Sequence, residues 1–420
     1  MLVLKKRIIK YIALIMACIT TITSISFLEP AYGASYNIKQ SKQLKEISEF
    51  PQSYQAGLKN IKSIYPNAKF IYFDTGLDWY KDVLTSENEL RFGRNLIYSS
   101  CPSSWKSTSP QAYNASTSTF TQVEPGWNQA SQAAIEYYMD PRNFFTEKEI
   151  FQFLQLTYSD AQTVEGTQSI LAGTYLGRES ISDNDGNTIT YAEALVKIGK
   201  TVGVSPYLLA SRVRQENGGG KSALVSGSSG YYNFFNIGAY GSTTSAIVSR
   251  GLNTAKNRGW NTKYKSLLGG AEVLRDNYVN AGKDCLYLHH WNVVSLNGVV
   301  SYTPYMTNML APYDETKTLS KSITDKNASY TFVIPVYKNM PSVTTLSNQT
   351  GNSNFLLKEL TLNDGNVSIG TFSSYNYEYY ASSTESYVVL KATMYESTSN
   401  MKINGMILIQ QITQLKKQSY

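Results

Sequence analysis

Histidine, cysteine and concentrated charge are what this 420-residue chain has least of, and each shortage closes a class of chemistry. The only two histidines, His289 and His290, are adjacent. That spacing does not set two ligands on one metal from a helix face, so neither a metal nor a cofactor is expected. Of three cysteines, Cys18 falls in the opening apolar run, while Cys101 and Cys285 lie far apart in sequence. Export would permit a disulfide between those two without requiring it, and nothing marks either as a nucleophile. Charged residues make up 16% of the chain and form no dense Lys/Arg run, which speaks against a nucleic-acid partner. Beyond the opening, no stretch is long and apolar enough to span a membrane. Asp and Glu are also missing throughout residues 217–271.

What is present begins with an address. Lys5, Lys6, Arg7 and Lys10 precede an apolar run over 11–25, followed by Glu29-Pro30 and Ala31-Tyr32-Gly33-Ala34. Residues 1–34 therefore read as a secretory signal peptide cleaved near Gly33 or Ala34. Ile15-Met16-Ala17-Cys18 also resembles a lipid-anchor box, although the apolar stretch before Cys18 is short and the one after it continues. Cleavage would remove four cationic residues and Glu29, lowering the formal charge from +7 by three. A modestly basic exported protein suits an anionic cell-wall surface.

The stretch over 205–240 carries the chemistry. Ser205 is a suitable N-cap and Pro206 a good first helical residue, so a short helix is expected to start there. Leu209, Val213 and Glu216 recur at i, i+4 and i+7, which puts a carboxylate on the apolar stripe one turn from the end. Asn217-Gly218-Gly219-Gly220 stops the helix, so burial and the negative end of the dipole both favour the protonated form of Glu216. Two readings are open at this point: a poised general acid, or an ordinary i−4 ion pair with Arg212. After the glycines come Tyr231, Tyr232, Asn233, Phe234, Phe235 and Asn236. Aromatic faces and amide edges beside an acid are what sugar rings bind, because their C–H faces pack on aromatics while hydroxyls and acetamides need polar partners.

The strings Q-E-N-G-G-G-K-S, Y-N-F-F-N-I-G-A-Y, R-G-W-N-T, L-L-G-G-A-E-V-L-R-D-N-Y, C-L-Y-L-H-H-W-N-V and P-Y-M-T-N-M follow one another in order from Gln215 to Met309. Together they resemble bacterial endo-β-N-acetylglucosaminidases of glycoside hydrolase family 73, the peptidoglycan-cutting autolysins. The resemblance implies a lysozyme-like, mainly helical α+β catalytic domain over 161–315. It makes Glu216 the catalytic acid. Tyr232, Phe235 and Trp291 are candidates for packing on sugar faces, with Asn233 and Asn236 reaching hydroxyl or acetamide groups, and each could equally be a core residue; Tyr305, in the last string, is a further substrate-binding candidate. Peptidoglycan glycan strands are the implied partner. The chain departs from the family where it has Gly241 instead of an acidic residue, and Thr303-Pro304 instead of the His-Gln that often precedes the tyrosine. Glycosidases ordinarily pair two carboxylates, and the acidic gap leaves the second unassigned. An acetamide of the substrate then stands as a candidate nucleophile, steadied by a Tyr or Asn.

The rest of the chain reads as a multidomain arrangement. Residues 35–160 are expected to form a mixed α/β accessory module, with helical text over 53–64, strand text over 68–73, and a turn at Asp74-Thr75-Gly76. Residues 102–125 read as a long surface loop whose Trp105 and Tyr113, with Trp127 beyond it, either line a glycan surface or pack internally. Gln162 to Leu176 reads as one helix; Asp183-Asn184-Asp185-Gly186 reads as a turn, lacking the ligand spacing of a calcium loop. Thr190-Tyr191-Ala192-Glu193 is a capping-box signature. A polar linker is expected over 316–350. Over 351–420, runs at 356–362, 367–372, 387–394 and 401–409 resemble a partial cadherin-like β-sandwich with an open edge after Gly405. Three functions fit these residues: a hydrolase cutting after N-acetylglucosamine, a lytic transglycosylase using the same acid, or a non-catalytic glycan binder. A pure binder has no need of an acid on a buried helix face.

Overall fold

The computed structural model describes residues 39–416 apart from 242, 292, 297–298, 301–306, 321–324, 353, 377–378, 383, 385–386, 397–400, 404–405 and 409–411. The signal-peptide reading and Tyr305 lie outside the described residues. The chain forms two compact units, and neither is continuous in sequence. One joins the chain through Ser86 to Tyr138–Val343; the other joins Glu87–Tyr137 to the chain from Thr344 on. The boundaries expected at 160 and 315 do not mark this division.

In the first unit a three-stranded sheet holds β1 (Ser41–Leu44), β2 (Lys69–Asp78) and β3 (Thr331–Lys338), with β2 in the middle. Helix α1 (Gln52–Ile64) joins β1 to β2, burying Tyr54, Leu58 and Ile61 along one face at helical spacing. β1 runs antiparallel to β2, and β3 runs parallel to it with Thr331 opposite Lys69. A parallel pair needs a crossover, and here the crossover carries the unit's helices other than α1. β3 corrects the expected linker over 316–350. Its text, T-F-V-I-P-V-Y-K, is a continuous apolar run rather than an alternation, as a strand covered on both faces requires. Pro335 is tolerated because β3 is an edge strand. The turn expected at Asp74-Thr75-Gly76 is likewise no turn. β2 continues through it, with Gly76 at φ 67° and a register shift between Val336 and Lys338 on the paired strand.

The helices that matter for the site are α2 (Val164–Leu171), α3 (Tyr191–Val202), α4 (Pro206–Asn217), α5 (Thr244–Asn257), α6 (Lys263–Leu274) and α7 (Ala311–Leu319). α2 is shorter than the 162–176 segment expected, because the chain leaves the helix at Ala172 and Gly173 takes φ 79°. α3 opens on the reciprocal box: Thr190 Oγ1 accepts from the Glu193 amide at 3.2 Å, and Glu193 Oε2 accepts from the Thr190 amide at 2.8 Å. Ahead of it, the Asp183 carboxylate accepts from the Asp185 and Asn187 amides, each at 2.9 Å, and closes a hairpin turn. α4 is the hub, packing against α2, α3 and α7. Residues 206–213 are buried on all sides, so burial extends beyond the apolar stripe read from the sequence to the whole helix surface over its first two turns, Ser211 and Arg212 included. No helix among the described residues is long and apolar enough to cross a membrane.

The second unit is β-rich. Leu96–Tyr98 and Gln122–Glu124 flank Trp127–Gln129, and Tyr387–Met394 lies between Leu357–Leu362 and Ile412–Lys416 in an antiparallel sheet. Of the four β runs expected here, 367–372 forms no strand and contributes only an isolated bridge from Val367 to Leu362. Two of the three loop aromatics are packed internally: Tyr113 against Phe120 and Leu356, and Trp127 against Tyr98 at 4.5 Å between ring centroids.

Candidate active site

Glu216 stands at the last turn of α4. Ser205 caps the start of that helix by accepting from the Leu208 amide at 3.2 Å, and Pro206 occupies the first helical position. At the other end the Gly218 amide returns to the Arg214 carbonyl at 2.9 Å. Gly220 takes φ 64°, and a Cβ there would meet the Tyr175 ring at 2.6 Å. The glycine run therefore lets the chain turn flat against that ring directly after the acid.

The carboxyl of Glu216 is half-buried, and its pKa is pushed from 4.5 up to about 7. Loss of hydration is the main cause; the nearby Arg212 charge and a hydrogen bond from Asn236 pull the other way, and the Glu315 charge adds to the rise. Asn236 Nδ2 donates to Glu216 Oε2 at 2.7 Å. The orientation of that amide follows from its neighbour. Asn217 Nδ2 donates to the Phe234 carbonyl at 2.8 Å and to Asn236 Oδ1 at 3.2 Å, so Asn236 presents oxygen to Asn217 and nitrogen to Glu216. Oε2 being an acceptor, the proton of the neutral acid sits on Oε1. Asn236 holds this pose at φ 53°, a conformation Asn tolerates better than most residues.

The other sequence candidates divide. Tyr232 remains half-buried, its ring 6.4 Å from Phe234 and nearly parallel to it. Asn233 is wholly buried, with Nδ2 donating to the Ile237 and Gly251 carbonyls at 2.8 and 2.9 Å and Oδ1 accepting from the Ile237 amide at 3.0 Å. Its amide thus pins the loop to α5 and is not free to meet a hydroxyl. Phe235 is buried against α6, where a Cβ on Gly270 would lie 2.0 Å from its ring. Trp291 is 1% exposed and packs on Tyr287 and His290. Phe235 and Trp291 are core residues rather than sugar platforms, because large apolar side chains gain most from full burial. The structure brings Glu216, Asn236 and Asn217 together; Tyr305 lies outside the described residues.

Sequence reading missed a buried cluster behind the acid. Arg212, one turn before Glu216, pairs through Nη1 with Glu315 Oε1 at 3.1 Å, and its Nη2 lies 3.2 Å from His289 Nδ1. His289 Nε2 meets the Lys283 carbonyl at 3.1 Å, so Nε2 carries the ring proton and Nδ1 accepts from Arg212. Burial, with the Arg212 charge second, depresses the His289 pKa well below its usual value and keeps the ring neutral. The only trace in the sequence was Arg212 at i−4; its partners come from segments some 77 and 103 residues away. Among the described residues no group of three His, Cys, Asp or Glu side chains is disposed to hold a metal ion.

No family model matches the chain. A stretch of 179 residues is 28% identical to the bifunctional autolysin of Staphylococcus epidermidis, taking in 40% of this chain and 12% of that protein. A stretch of 185 residues is 29% identical to the beta-N-acetylglucosaminidase of Bacillus subtilis (strain 168), taking in 42% of this chain and 19% of that protein. The chain thus spans less than a fifth of the length of either relative. A crystal structure of a major bifunctional autolysin is 26% identical and covers 52% of this chain and 87% of that chain, with a TM-score of 0.40. The likeness to autolysins and N-acetylglucosaminidases read from the ordered strings is thereby found independently by sequence comparison.

Proposed function

We propose that the first unit is an endo-acting N-acetylglucosaminidase that cuts the β-1,4 bond after N-acetylglucosamine in peptidoglycan outside the membrane, with Glu216 as general acid. The observation that carries this is a carboxyl at the end of the hub helix, half-buried, proton-bearing near neutral pH, and oriented by an amide whose own direction is fixed. The names of the relatives support the substrate class. In the reaction Oε1 of Glu216 hands its proton to the leaving glycosidic oxygen, and the hydrogen bond from Asn236 to Oε2 grows stronger as the carboxylate forms. Tyr232 is the remaining candidate from the aromatic cluster for packing on a sugar face, and Tyr305 is proposed for the same role. Glu315 does not supply the missing second carboxylate, since it is buried on Arg212 with no surface for water. The substrate's own acetamide is the proposed nucleophile, a route in which the protein supplies the acid but not the attacking group. Secretion, wall attachment and a cadherin-like retaining role for 351–420 belong to the same proposal.

Glu216→Gln tests it. The amide keeps size and hydrogen bonding but has no proton for a leaving group, so turnover on purified peptidoglycan should fall by about two to four orders of magnitude. Mass spectrometry of wild-type products should show reducing N-acetylglucosamine ends. Anhydro-muramic ends would establish the transglycosylase instead, and an undiminished Gln variant would remove Glu216 from the chemistry.

A further inference from the structure

The cluster behind the acid is a charge-balanced device, and its members come from three separate segments. Glu216 is faced by Arg212 from its own helix, by the Asn236 amide, and at longer range by Glu315 of α7. Arg212 is faced by Glu315 and by the neutral ring of His289, and His289 by the Lys283 carbonyl and the Lys283 charge. Burial raises the Glu315 pKa, the Arg212 charge it faces opposes that rise, and the Asp314 charge along the chain adds to it. Arg212, Glu315 and His289 are all more than nine-tenths buried. One buried cation therefore serves two carboxyls, and a low-dielectric site will not hold both as anions.

Geometry settles which of them takes the cation. Glu315 meets the guanidinium at 3.1 Å, whereas Glu216 Oε2 takes a neutral amide donor at 2.7 Å. We propose that Glu315 is a positioning residue for the reaction at Glu216: held on Arg212, it neutralises the cation one helical turn before the acid, so Glu216 keeps its proton until the leaving oxygen takes it. This rests on Glu216 being the acid, as proposed above. It also accounts for a carboxylate that the chain buries far from water with no other evident use.

The test is Glu315→Gln in the full-length protein, read by the pH profile of kcat/KM on soluble muropeptides and by carbon NMR titration of the Glu216 carboxyl, its signal assigned by its loss in Glu216→Gln. Without Glu315 the guanidinium is uncompensated and stabilises the Glu216 anion, an effect of about one pH unit or more for an opposite charge at this range. The alkaline limb and the NMR midpoint should both move down by about that much. A one-unit fall from about 7 cuts the protonated fraction at pH 7 about fivefold and at pH 5 by less than a tenth, and activity should follow. The double variant Arg212→Gln/Glu315→Gln leaves no unpaired buried charge, so it is the better-folded control and should return the midpoint to near the wild-type value. A purely structural Glu315 would lower activity equally at pH 5 and pH 7 with the midpoint unmoved, and that result overturns the proposal. Full activity of Glu216→Gln beside a midpoint that still shifts with Glu315→Gln would instead sink the acid assignment while leaving the electrostatic coupling in place.

Discussion

Replacing Glu216 by Gln removes a proton that the folded protein holds more tightly than the unfolded chain does, and the consequence for stability can be worked from the structure. The carboxyl titrates at about 7 in the fold against an ordinary value of 4.5. Below pH 4.5 both states are protonated and the group contributes no pH-dependent penalty. Between 4.5 and 7 the folded state keeps the proton and the unfolded chain gives it up, so stability declines as pH rises through that window and levels off above it. This is the reverse of the usual salt-bridged carboxylate. At 1.36 kcal/mol per unit the full penalty is at most about 3 kcal/mol, and the partial exposure of the group reduces it to about 2 kcal/mol. Gln carries no such penalty. Thermal melts of the two proteins should therefore nearly coincide at pH 4, while at pH 8 the Gln variant should melt about 4–8 °C higher in the transition of the helical unit, taking roughly 2–4 °C per kcal/mol for a unit of this size. An inactive variant that is more stable only on the alkaline side is a narrow result. Equal melting temperatures at pH 8, or the same gap at both pH values, would refute the claim that burial withholds the charge from Glu216.

Two further outcomes separate core from surface. Trp291→Ala should cost about 3–5 kcal/mol and lower the yield of folded protein, whereas Tyr232→Ala should leave the melting temperature within a few degrees and weaken binding of glycan fragments by calorimetry; comparable destabilisation by both would place Tyr232 in the core as well. A chain ending after Ser329 loses β3 and should fail to give a cooperative melt, while one ending after Val343 keeps the three-stranded sheet and should retain turnover on soluble muropeptides; full activity of the shorter chain would show that β3 is dispensable.

Local signals survived the passage from text to structure, and long-range ones did not. The Ser205-Pro206 start, the glycine stop and the Thr190/Glu193 box are visible in sequence because cap and partner lie within four residues of each other. β3 was not, because a strand buried on both faces lacks the alternation that marks a half-exposed one, and Pro335 counts against any strand until its place at an edge is known. The aromatic cluster was legible as a cluster but not by direction. In Y-Y-N-F-F-N, Tyr232 stays partly open while Asn233 and the two phenylalanines turn inward, and consecutive residues in an irregular segment have no period to say which. Asn236 was found for its chemistry, and its amide touches the acid, a contact the sequence does not announce.

The arrangement of charges also bears on the proposed mechanism, which uses a single protein carboxylate. A second ionised carboxylate beside Glu216 would raise its pKa further, which helps an acid only until the proton is held too firmly to be given up near neutral pH. In the proposed scheme the second carboxylate is buried on Arg212, so that Glu315 acts on Glu216 at a distance. With no Asp or Glu between 217 and 271, the segment that turns back over the acid offers amides, hydroxyls and rings but no anion. Such a surface suits a substrate that brings its own nucleophile, since a neighbouring acetamide needs to be oriented and sheltered from water rather than deprotonated by a strong base. A stable thiazoline analogue of the cyclised acetamide should accordingly inhibit at least 100-fold more tightly than free N-acetylglucosamine, measured as a competitive Ki on soluble muropeptides. Equal affinity for the two would require a protein nucleophile or an activated water, and with it a second carboxylate at the site.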